Sequence, residues 1–228
     1  MNRVILLRHG ENRANLTKEF SYKKIDYPLT KKGVLQAQQT AAALQGRSIQ
    51  AIYTSPLIRA QQTAAIVGKT LSLTPIVDEA FREFNVGSLE DVPPSDETWD
   101  QYRRVIHAWV QGHREVSFPD GENQRQLWTR YQAGLRRAIL AYPDQTLLIV
   151  GHGGIFTATL PTLCPEIHIL DLFKHENHNA SLTEIDLELQ GEQLIGHLVS
   201  WANTNHLTGK AAQFVSGTPH RGEFSKKQ

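Results

Sequence analysis

The sequence predicts an α/β protein built on a mostly parallel sheet with helices on both faces. Short aliphatic runs alternate along the chain with stretches whose apolar residues recur every three or four positions, the pattern of strands and helices in turn. Residues 146–150 are almost wholly apolar, which is typical of a central parallel strand buried on both faces. At 228 residues, the chain is long enough for one sizeable domain of this class.

The first half of the chain contains three predicted strands and two predicted helices. The strands are expected at residues 3–7, 50–53 and 75–77. One helix follows Gly33 and is expected to end near Gly46, and the other begins at Leu57. Each helix carries a single apolar stripe, which predicts that one side packs on the sheet. The stripe residues are Val34, Ala37, Ala41 and Leu44 in the first helix, and Ala60, Ala64, Val67 and Leu71 in the second.

The second half predicts two long helices, the central strand and a closing hairpin. Residues 81–91 are interpreted as a loop, after which Ser95 is a candidate N-cap for a helix. A second helix follows residues 118–123, and residues 181–201 alternate in polarity and turn near Gly191 as a β-hairpin does. From Gly209 the chain is polar and aperiodic. We therefore expect a single domain at 1–208, with a helical cap segment at about 93–142, and a flexible tail at 209–228.

Composition and charge exclude several classes of protein. The formal net charge is +1 and the basic residues are scattered, so the chain lacks the positive patch that nucleic-acid binding requires. The longest apolar runs fall far short of the ~20 residues of a membrane-spanning helix. The single cysteine, Cys164, excludes an internal disulfide, and the N-terminus shows no secretion signal. We expect a cytoplasmic protein that binds neither nucleic acid nor membrane.

Titratable residues follow four of the predicted strands. His9 comes directly after the first strand, Arg59 follows the second, Glu83 follows the third and His152 follows the fourth. Since ligand sites of open α/β sheets lie outside the carboxyl ends of the strands, these side chains are expected to meet at one place. Any one of them alone is more often a solvated surface residue, whereas all four together favour a functional site.

Four segments carry a resemblance to a known family. They read LRHGENRAN at 7–15, YTSPLIRAQQTA at 53–64, FREFNVGSLED at 81–91 and VGHGG at 150–154, with a weaker similarity in NASLTEID at 179–186. In this order and spacing they resemble the histidine phosphatase superfamily, the phosphoglycerate-mutase-like family, and within it the phosphatase branch. The resemblance covers about residues 3–207 and implies a three-layer α/β/α sandwich with a mostly parallel central sheet.

The resemblance implies a phosphohistidine mechanism. His9 would attack a phosphomonoester in line and carry the phosphoryl group until water cleaves the phosphohistidine. Arg8 and Arg59 would bind the phosphoryl oxygens through their planar guanidinium groups, and their charges would lower the pKa of His9 and keep the imidazole neutral. The carbonyl oxygen of Gly10 would accept the proton of the other ring nitrogen.

The same resemblance implies further site residues. His152 would donate to the phosphoryl group as part of the catalytic set, and Asn15 would add a neutral donor. Glu83 is the candidate general acid for the departing alkoxide, a proton transfer typically worth ~10²–10⁴ in rate. Ser55 either supports the site or only caps the helix that follows. The chain departs from the family at residues 89–91, which read Leu-Glu-Asp where relatives commonly have Trp and then Glu-Gly.

The function expected from these residues is hydrolysis of a small phosphorylated metabolite without a metal or other cofactor. One alternative is a 2,3-bisphosphoglycerate-dependent phosphoglycerate mutase, and another is a non-catalytic phosphoester-binding module. Family mutases carry FTGW after the first motif and an Arg-Arg pair before prolines. This chain reads FSYKKIDYPLT at 20–30, and VIHAW follows Arg103 and Arg104, which favours hydrolysis. The natural substrate and the oligomeric state stay open, with a homodimer as one alternative.

Two other groups of residues are interpreted as structural. Trp99, Tyr102 and Trp109 have helical spacing and are expected in the core rather than in a substrate-stacking site. The histidines of KHENH at 174–178 lack the i, i+4 spacing of a helical zinc site and are expected in a polar loop. No metal site is therefore expected.

Overall fold

Six strands and seven helices form the described part of the structure, a computed structural model that covers residues 1–220 and residue 224. The strands are β1 (Asn2–Arg8), β2 (Ile49–Thr54), β3 (Ile76–Val77), β4 (Thr146–Gly151), β5 (Leu182–Gln190) and β6 (Gln193–Asn203). The helices are α1 (Arg13–Thr17), α2 (Lys31–Ala43), α3 (Ile58–Leu71), α4 (Asp96–Val110), α5 (Gln124–Ala141), α6 (Gly153–Leu163) and α7 (Ile169–Leu172). Short 3-10 helices lie at Glu79–Phe81, Gly87–Asp91 and Gly209–Ala212.

The strands form a mixed sheet in the order β3-β2-β4-β1-β5-β6. Strands β1 to β4 run parallel to one another, whereas β5 pairs antiparallel with β1, and β6 pairs antiparallel with β5. Leu6 of β1 lies opposite Ile149 of β4 and Thr183 of β5, so this apolar strand has a partner on each side. The mostly parallel α/β architecture predicted from the sequence is confirmed.

Helices cover both faces of the sheet because successive side chains of a strand point to opposite faces. Ile5 and Leu7 of β1 belong to one apolar cluster, together with residues of α2 and α3. Val4 and Leu6 belong to the other cluster, which includes residues of α4, α5 and α6. This alternation produces three layers, and the loops that follow β1, β2 and β4 emerge together at the carboxyl end of the parallel strands.

Helix α6 is the longest element that the sequence analysis does not predict. It is apolar over almost its whole length and contains Pro161, so the sequence shows no stripe of helical period. In the structure Ile155, Phe156, Leu160 and Leu163 are each at most 1% exposed, whereas residues 153, 154, 157, 161 and 162 are half-buried. The elements that bury this helix, such as α5 and β6, come from other parts of the chain.

Two local predictions differ from the structure by about one turn. Residues 81–91, interpreted as a loop, include a 3-10 helix at Gly87–Asp91, and another ends at Phe81. Helix α2 ends at Ala43 and not at Gly46, which has a φ of +77° in the turn that follows. Short helices of this kind depend on local contacts more than on periodicity, so the pattern does not reveal them.

The described part of the C-terminal segment packs against the domain. Ala211 is fully buried among residues of α2 and α3. The Lys32 ammonium donates to the carbonyl oxygen of Gln213 at 2.7 Å, and the Arg103 guanidinium donates to that of Pro219 at 3.0 Å. Residues 221–223 and 225–228 lie outside the described residues. The flexibility of this tail, like the boundaries of the domain and of its cap segment, stays a prediction.

Two glycines allow the loop after β1 to contact the first turn of α2. A Cβ atom on Gly10 would lie 2.4 Å from the carbonyl oxygen of Gly33, and one on Gly33 would lie 2.1 Å from that of Glu11. Neither distance leaves room for a side chain. This close approach fixes the backbone at Gly10, directly next to His9.

We expect Gly33→Ala to destabilise the fold by roughly 1–3 kcal/mol, because the new methyl group would collide with backbone atoms. Helix propensity alone predicts the opposite sign, since alanine is favoured over glycine in a helix interior by about 1 kcal/mol. Urea unfolding of this variant and of Gln38→Ala, at an exposed position on the same helix, separates the two effects. A Gly33→Ala protein as stable as the Gln38→Ala protein would show that the close approach does not constrain the fold.

Candidate functional site

A cavity of about 380 Å³ opens at the carboxyl ends of the parallel strands. Arg8 and His9 from the end of β1, Arg59 from α3 and Glu83 from the segment before α4 all line it. His152 follows β4 and is completely buried, with its ring centroid 5.1 Å from that of His9. The structure therefore brings together the side chains that the sequence places after four different strands.

Two hydrogen bonds hold the ring of His9 in one neutral tautomer. Its Nδ1 lies 2.7 Å from the carbonyl oxygen of Gly10, and its Nε2 lies 3.1 Å from Nε of Arg59. A carbonyl oxygen can only accept and an arginine Nε–H can only donate, so the ring proton is on Nδ1 and Nε2 presents its lone pair. The backbone N–H of His9 donates to the carbonyl oxygen of Gly151 at 2.9 Å, which fixes the residue against β4.

Burial and neighbouring charges keep this imidazole uncharged. His9 is 3% exposed, and desolvation, followed by the charges of Arg59 and Arg8, holds its pKa well below the usual range. The hydrogen bond to Gly10 acts in the opposite direction and is outweighed. Burial, and next the charge of Arg59, likewise holds the pKa of His152 well below its usual range. Both rings are therefore neutral at neutral pH.

The loop between α1 and α2 fixes Arg59. Its Nη1 donates to Oγ of Ser21 and its Nη2 donates to the carbonyl oxygen of Ser21, both at 2.8 Å. Asp26 of the same loop lies 3.6 Å from Nη1 and also accepts the backbone N–H of Ile58 at the start of α3. Burial lowers the pKa of Arg59 to about 10, so the guanidinium still carries its charge at neutral pH. The cation beside Nε2 of His9 is thus held at all three nitrogens.

Arg8 is a second buried cation, with 8% of its surface exposed. Its Nη1 donates to the carbonyl oxygen of Asn177 in the loop before β5. Its Nε has no hydrogen-bond partner among the residues that the structure describes. A Cβ on Gly153 would lie 3.2 Å from this Nε, so glycine at the first position of α6 leaves room for the guanidinium. Arg8 therefore lines the cavity with its buried Nε–H unused.

His152 and Ser55 form a buried pair beside His9. Nε2 of His152 lies 2.7 Å from Oγ of Ser55, which also accepts the backbone N–H of Leu57 at 3.3 Å. Ser55 thus contacts the second histidine as well as the turn before α3, the two roles that its position in the sequence left open. Nδ1 of His152 has no hydrogen-bond partner within the described part of the chain. Buried ring nitrogens are normally hydrogen-bonded, so this atom has unused hydrogen-bonding capacity next to His9, although His152 itself does not line the cavity.

The carboxylate of Glu83 lies at the N-terminus of α6. It accepts the backbone N–H groups of Gly154 at 2.9 Å, Ile155 at 2.7 Å and Phe84 at 3.0 Å. A Cβ on Gly154 would lie 2.8 Å from each carboxylate oxygen, so glycine is needed there. Burial raises the pKa of Glu83 and outweighs the backbone donors and Arg59, which favour the carboxylate.

Asn15 lines the cavity from α1. Its Oδ1 accepts the backbone N–H of Asn12 at 3.1 Å and the Nδ2–H of Asn179 at 3.0 Å. Nδ2 of Asn179 also donates to the carbonyl oxygen of His9 at 3.1 Å, which joins Asn15 to the backbone of the site. Since both contacts use Oδ1, the amide nitrogen of Asn15 is the group that can donate to a ligand.

A buried carboxylate anchors the loop that fixes Arg59. Oε1 of Glu90 accepts four successive backbone N–H groups, those of residues 22–25, at 2.7, 2.8, 3.0 and 3.1 Å. Hydrogen bonds to an ionised acceptor are among the stronger ones in proteins, and successive N–H groups make a good anion site. Ser21 directly precedes this turn, so Glu90 positions the residue that holds Arg59.

The sequence analysis identifies the groups around His9 but not the residues that hold them in place. Those residues are Ser21, Glu90, Asn177 and Asn179. Two of them lie in segments that carry the family resemblance, Glu90 in FREFNVGSLED and Asn179 in NASLTEID. Asn177 acts through its backbone carbonyl and Glu90 binds backbone N–H groups, and since every part of a chain offers such groups, residue type does not reveal these contacts.

The aromatic residues of α4 have two roles. Trp99 and Trp109 are buried in the core, as the sequence predicts, at 6% and 4% exposure. Together with Tyr102 they also line the cavity, so the interpretation of a purely structural stripe is too narrow. Their rings continue a wall that includes Phe20 and Phe84.

The histidines of the 174–178 segment lie in the loop between α7 and β5. The ring of His178 stacks on Phe214 with centroids 4.3 Å apart and lies 4.0 Å from the carboxylate of Glu176. Within the described residues, no group of three or more His, Cys, Asp or Glu side chains is arranged to hold a metal ion. None of the helices described is both long enough and apolar enough to cross a membrane.

Comparison with known proteins links the chain to one family. A family model described as the histidine phosphatase superfamily (branch 1) matches residues 4–201. A protein of Yersinia pestis (strain Pestoides F) named probable phosphoglycerate mutase GpmB is 31% identical over 198 residues, an alignment that covers 82% of this chain and 86% of that protein. A Yersinia pseudotuberculosis (strain IP 31758) protein of the same name matches to the same extent.

Solved structures share this fold over most of the chain. YhfR of Bacillus stearothermophilus superimposes with a TM-score of 0.74 at 26% identity, covering 90% of this chain and 99% of that one. A mycobacterial glucosyl-3-phosphoglycerate phosphatase in complex with VO3 gives 0.74 at 23%, covering 90% and 100%. The alpha-ribazole phosphatase of Shigella flexneri gives 0.68 at 23%, covering 88% and 96%. At their lower identities, the last two show the fold alone.

We expect the free energy of unfolding to fall as the pH is lowered below about 6.5, the usual pKa of histidine. Below this pH the two histidines become protonated in the unfolded chain, whereas buried His9 and His152 stay neutral in the folded protein. The unfolded state is therefore stabilised by at most about 1.4 kcal/mol per pH unit for each ring. Urea unfolding between pH 8 and pH 5 of the wild type and of His9→Asn measures the share of one ring. Glu83 is present in both proteins, so its titration largely cancels in the difference. Equal slopes for the two proteins would contradict a neutral, buried His9.

We expect Glu90→Ala to lower the free energy of unfolding by roughly 3 kcal/mol, because four backbone N–H groups lose their acceptor. Formate is small enough to bind the same N–H groups and should partly restore the melting temperature relative to chloride at equal ionic strength. Asp91→Ala is the matched control, since it removes only the exposed ion pair with Lys24. If formate acts equally on both variants, the four N–H groups are not a specific anion site.

Proposed function

Because the chain belongs to branch 1 of the histidine phosphatase superfamily, we propose that it is a phosphomonoester hydrolase that forms a phosphohistidine on His9. The observation that carries this proposal is the environment of that ring. A neutral imidazole presents its Nε2 lone pair 3.1 Å from the buried guanidinium of Arg59, at the wall of a cavity. A neutral ring is nucleophilic, and fixed cations beside it attract a phosphate dianion.

In the first step, Nε2 of His9 attacks phosphorus, the Nε2–P bond forms, and the bond from phosphorus to the ester oxygen breaks. Nδ1–H remains hydrogen-bonded to the carbonyl oxygen of Gly10, which stabilises the positive charge that develops on the ring. Nε of Arg59 transfers its hydrogen bond from Nε2 to a phosphoryl oxygen. The ester oxygen leaves as an alcohol after it receives a proton from Glu83.

In the second step, water attacks phosphorus, the carboxylate of Glu83 takes a proton from that water, and the Nε2–P bond breaks. Inorganic phosphate leaves, and His9 returns to its neutral form. Two observations support Glu83 as this acid and base. It lines the same cavity, and burial raises its pKa, which favours the protonated form that can donate a proton. A dianionic phosphate bound nearby raises that pKa further.

The phosphoryl oxygens are bound by side chains whose donors are otherwise unused. Nε of Arg8 and Nδ1 of His152 are buried and have no partner within the described residues. Oγ of Ser55 accepts a hydrogen bond from a backbone N–H, and its hydroxyl can donate one to Nε2 of His152. In that arrangement the proton of the His152 ring is on Nδ1. With Arg59 and the amide of Asn15, these donors stabilise the charge on the phosphoryl oxygens in the transition state.

We further propose a cytoplasmic enzyme that acts on small phosphorylated metabolites and requires no metal ion or other cofactor. The charge stabilisation that phosphoryl transfer needs is supplied by the guanidinium groups of Arg8 and Arg59. Both are buried and fixed by hydrogen bonds, so they need no reorganisation during the reaction.

A phosphoglycerate mutase is the second candidate, since relatives at 31% identity carry that name. A mutase must bind the carboxylate of phosphoglycerate in addition to its phosphate. Of the described residues that line the cavity, only Arg8 and Arg59 are cationic. Arg103 donates to its own helix and to the C-terminal segment, Arg104 is exposed, and neither lines the cavity. These positions favour hydrolysis.

We expect Glu83→Gln to lower kcat/KM, which reports the first step alone, for an alkyl phosphomonoester by about 10²–10⁴-fold, because the alkoxide then lacks its proton donor. The loss should be much smaller for p-nitrophenyl phosphate, whose leaving group needs no proton. Both substrates are assayed in excess EDTA, with His9→Ala expected to abolish both activities. Glu79→Gln changes an exposed carboxylate near Glu83 in the chain and serves as the control.

Equal losses in kcat/KM for the two substrates would show that Glu83 is not the general acid. Conversion of 3-phosphoglycerate to 2-phosphoglycerate by primed wild-type protein, without net hydrolysis, would favour the mutase. Tight binding of phosphomonoesters without turnover would favour a non-catalytic module instead.

A further inference from the structure

We propose that the cavity selects phosphomonoesters whose leaving group is aromatic and carries no second negative charge, a substrate class that rests on the hydrolase function proposed above. One part of the cavity wall consists of aromatic rings in mutual contact. These belong to Phe20, Phe84, Trp99, Tyr102 and Trp109. A volume of about 380 Å³ accommodates a phosphate together with a ring-sized group.

The rings form a continuous wall rather than isolated side chains. The ring centroid of Phe20 lies 4.6 Å from that of Trp99 and 5.4 Å from that of Tyr102. Phe84 lies 6.1 Å from Tyr102 and 5.6 Å from Trp109. Such contacts restrict the rotation of each ring, so a bound group meets a surface that is already ordered.

The polar edges of the two indoles are already used. Nε1 of Trp99 donates to the carbonyl oxygen of Lys18 at 3.1 Å, and Nε1 of Trp109 donates to that of Val116 at 2.6 Å. What these side chains offer the cavity is therefore their apolar ring surface. A planar aromatic group fits this part of the wall better than a hydroxylated chain, because the faces of the indole rings offer a hydroxyl group no replacement for its hydrogen bonds to water.

The charges around the cavity disfavour a second anion. Among the described lining residues, the cations are Arg8 and Arg59, both of which lie at the phosphate end near His9. The remaining formal charges are carboxylates, namely Glu19 and Glu176 in addition to Glu83. Glu83 and Glu176 interact with Arg8. A carboxylate or second phosphate on the leaving group would find no cation beyond the two that bind the reacting phosphate, which costs binding.

The proposal is tested with primary alcohols as leaving groups, since their intrinsic reactivity is similar. We expect kcat/KM for 2-phenylethyl phosphate to exceed that for sn-glycerol 3-phosphate by about 50-fold, the effect of burying one phenyl ring. Placing a carboxylate in the para position of that ring should remove most of this advantage. Equal values for the first two substrates, or a preference for 3-phosphoglycerate, would overturn the proposal.

A binding measurement separates this proposal from the hydrolase function. The phosphonates 3-phenylpropylphosphonate and 3,4-dihydroxybutylphosphonate imitate the first two esters and cannot be hydrolysed. Calorimetry on the wild-type protein should show tighter binding of the phenyl compound, even if no ester is turned over. If the protein binds the phenyl compound more tightly but hydrolyses no ester, the hydrolase function is rejected and the selectivity for aromatic groups stands. If it hydrolyses esters but binds both phosphonates equally, the hydrolase function stands and the selectivity is rejected.

A charge placed in the aromatic wall provides a second test. Ile106 lines the cavity, and the adjacent His107 is exposed and does not. We expect Ile106→Lys to raise kcat/KM for 3-phosphoglycerate relative to 2-phenylethyl phosphate by about tenfold or more, and His107→Lys to leave the ratio unchanged. The same ratio in both folded variants would contradict the proposal. If Ile106→Lys does not fold, the wild-type comparison decides.

Discussion

The arrangement on which the site depends is an uncharged imidazole held between a carbonyl oxygen and a guanidinium. Gly10 accepts at Nδ1 of His9 and Arg59 donates at Nε2, so the partners alone determine which nitrogen carries the proton. Burial and the two arginines then disfavour any second proton. The same cations that keep the ring neutral are positioned to receive a phosphate dianion, so nucleophile activation and substrate binding have one physical origin.

Several contacts around the site place Arg8, Arg59 and Glu83 close together in a buried environment. Glycines allow backbones and side chains to approach where a Cβ would collide: Gly33 near the loop after β1, Gly153 beside Arg8, and Gly154 beside Glu83. Glu90 holds four N–H groups of the loop that fixes Arg59. These contacts join distant parts of the chain, and the cation that Glu90 helps to position, Arg59, lies 50 positions along the chain from its partner His9.

The strands, the main helices and the convergence of polar residues could be predicted from the sequence because they depend on period and order. Val4 to Leu7 show the apolar run of a buried strand, and Arg8 and His9 follow it directly. Helix α6 could not be predicted from its pattern, since its residues are mostly apolar and show no stripe of helical period. The roles of Ser21 and Asn177 and the partners of Glu90 were also inaccessible, because most of these contacts involve backbone groups that residue type does not encode. The sequence could not show that Trp99, Tyr102 and Trp109 line the cavity, because residues of the core and residues of the cavity wall lie on the same stripe of the helix.

The central claim is that the neutral ring of His9 accepts the phosphoryl group. The most direct measurement mixes wild-type protein with p-nitrophenyl phosphate, quenches the reaction in alkali during the first turnover, and locates the phosphoryl group by mass spectrometry of the digested protein. We predict that it is on His9, in an alkali-stable and acid-labile form. A burst of p-nitrophenol with the phosphoryl group on another residue, or with His9 unmodified, would contradict the account.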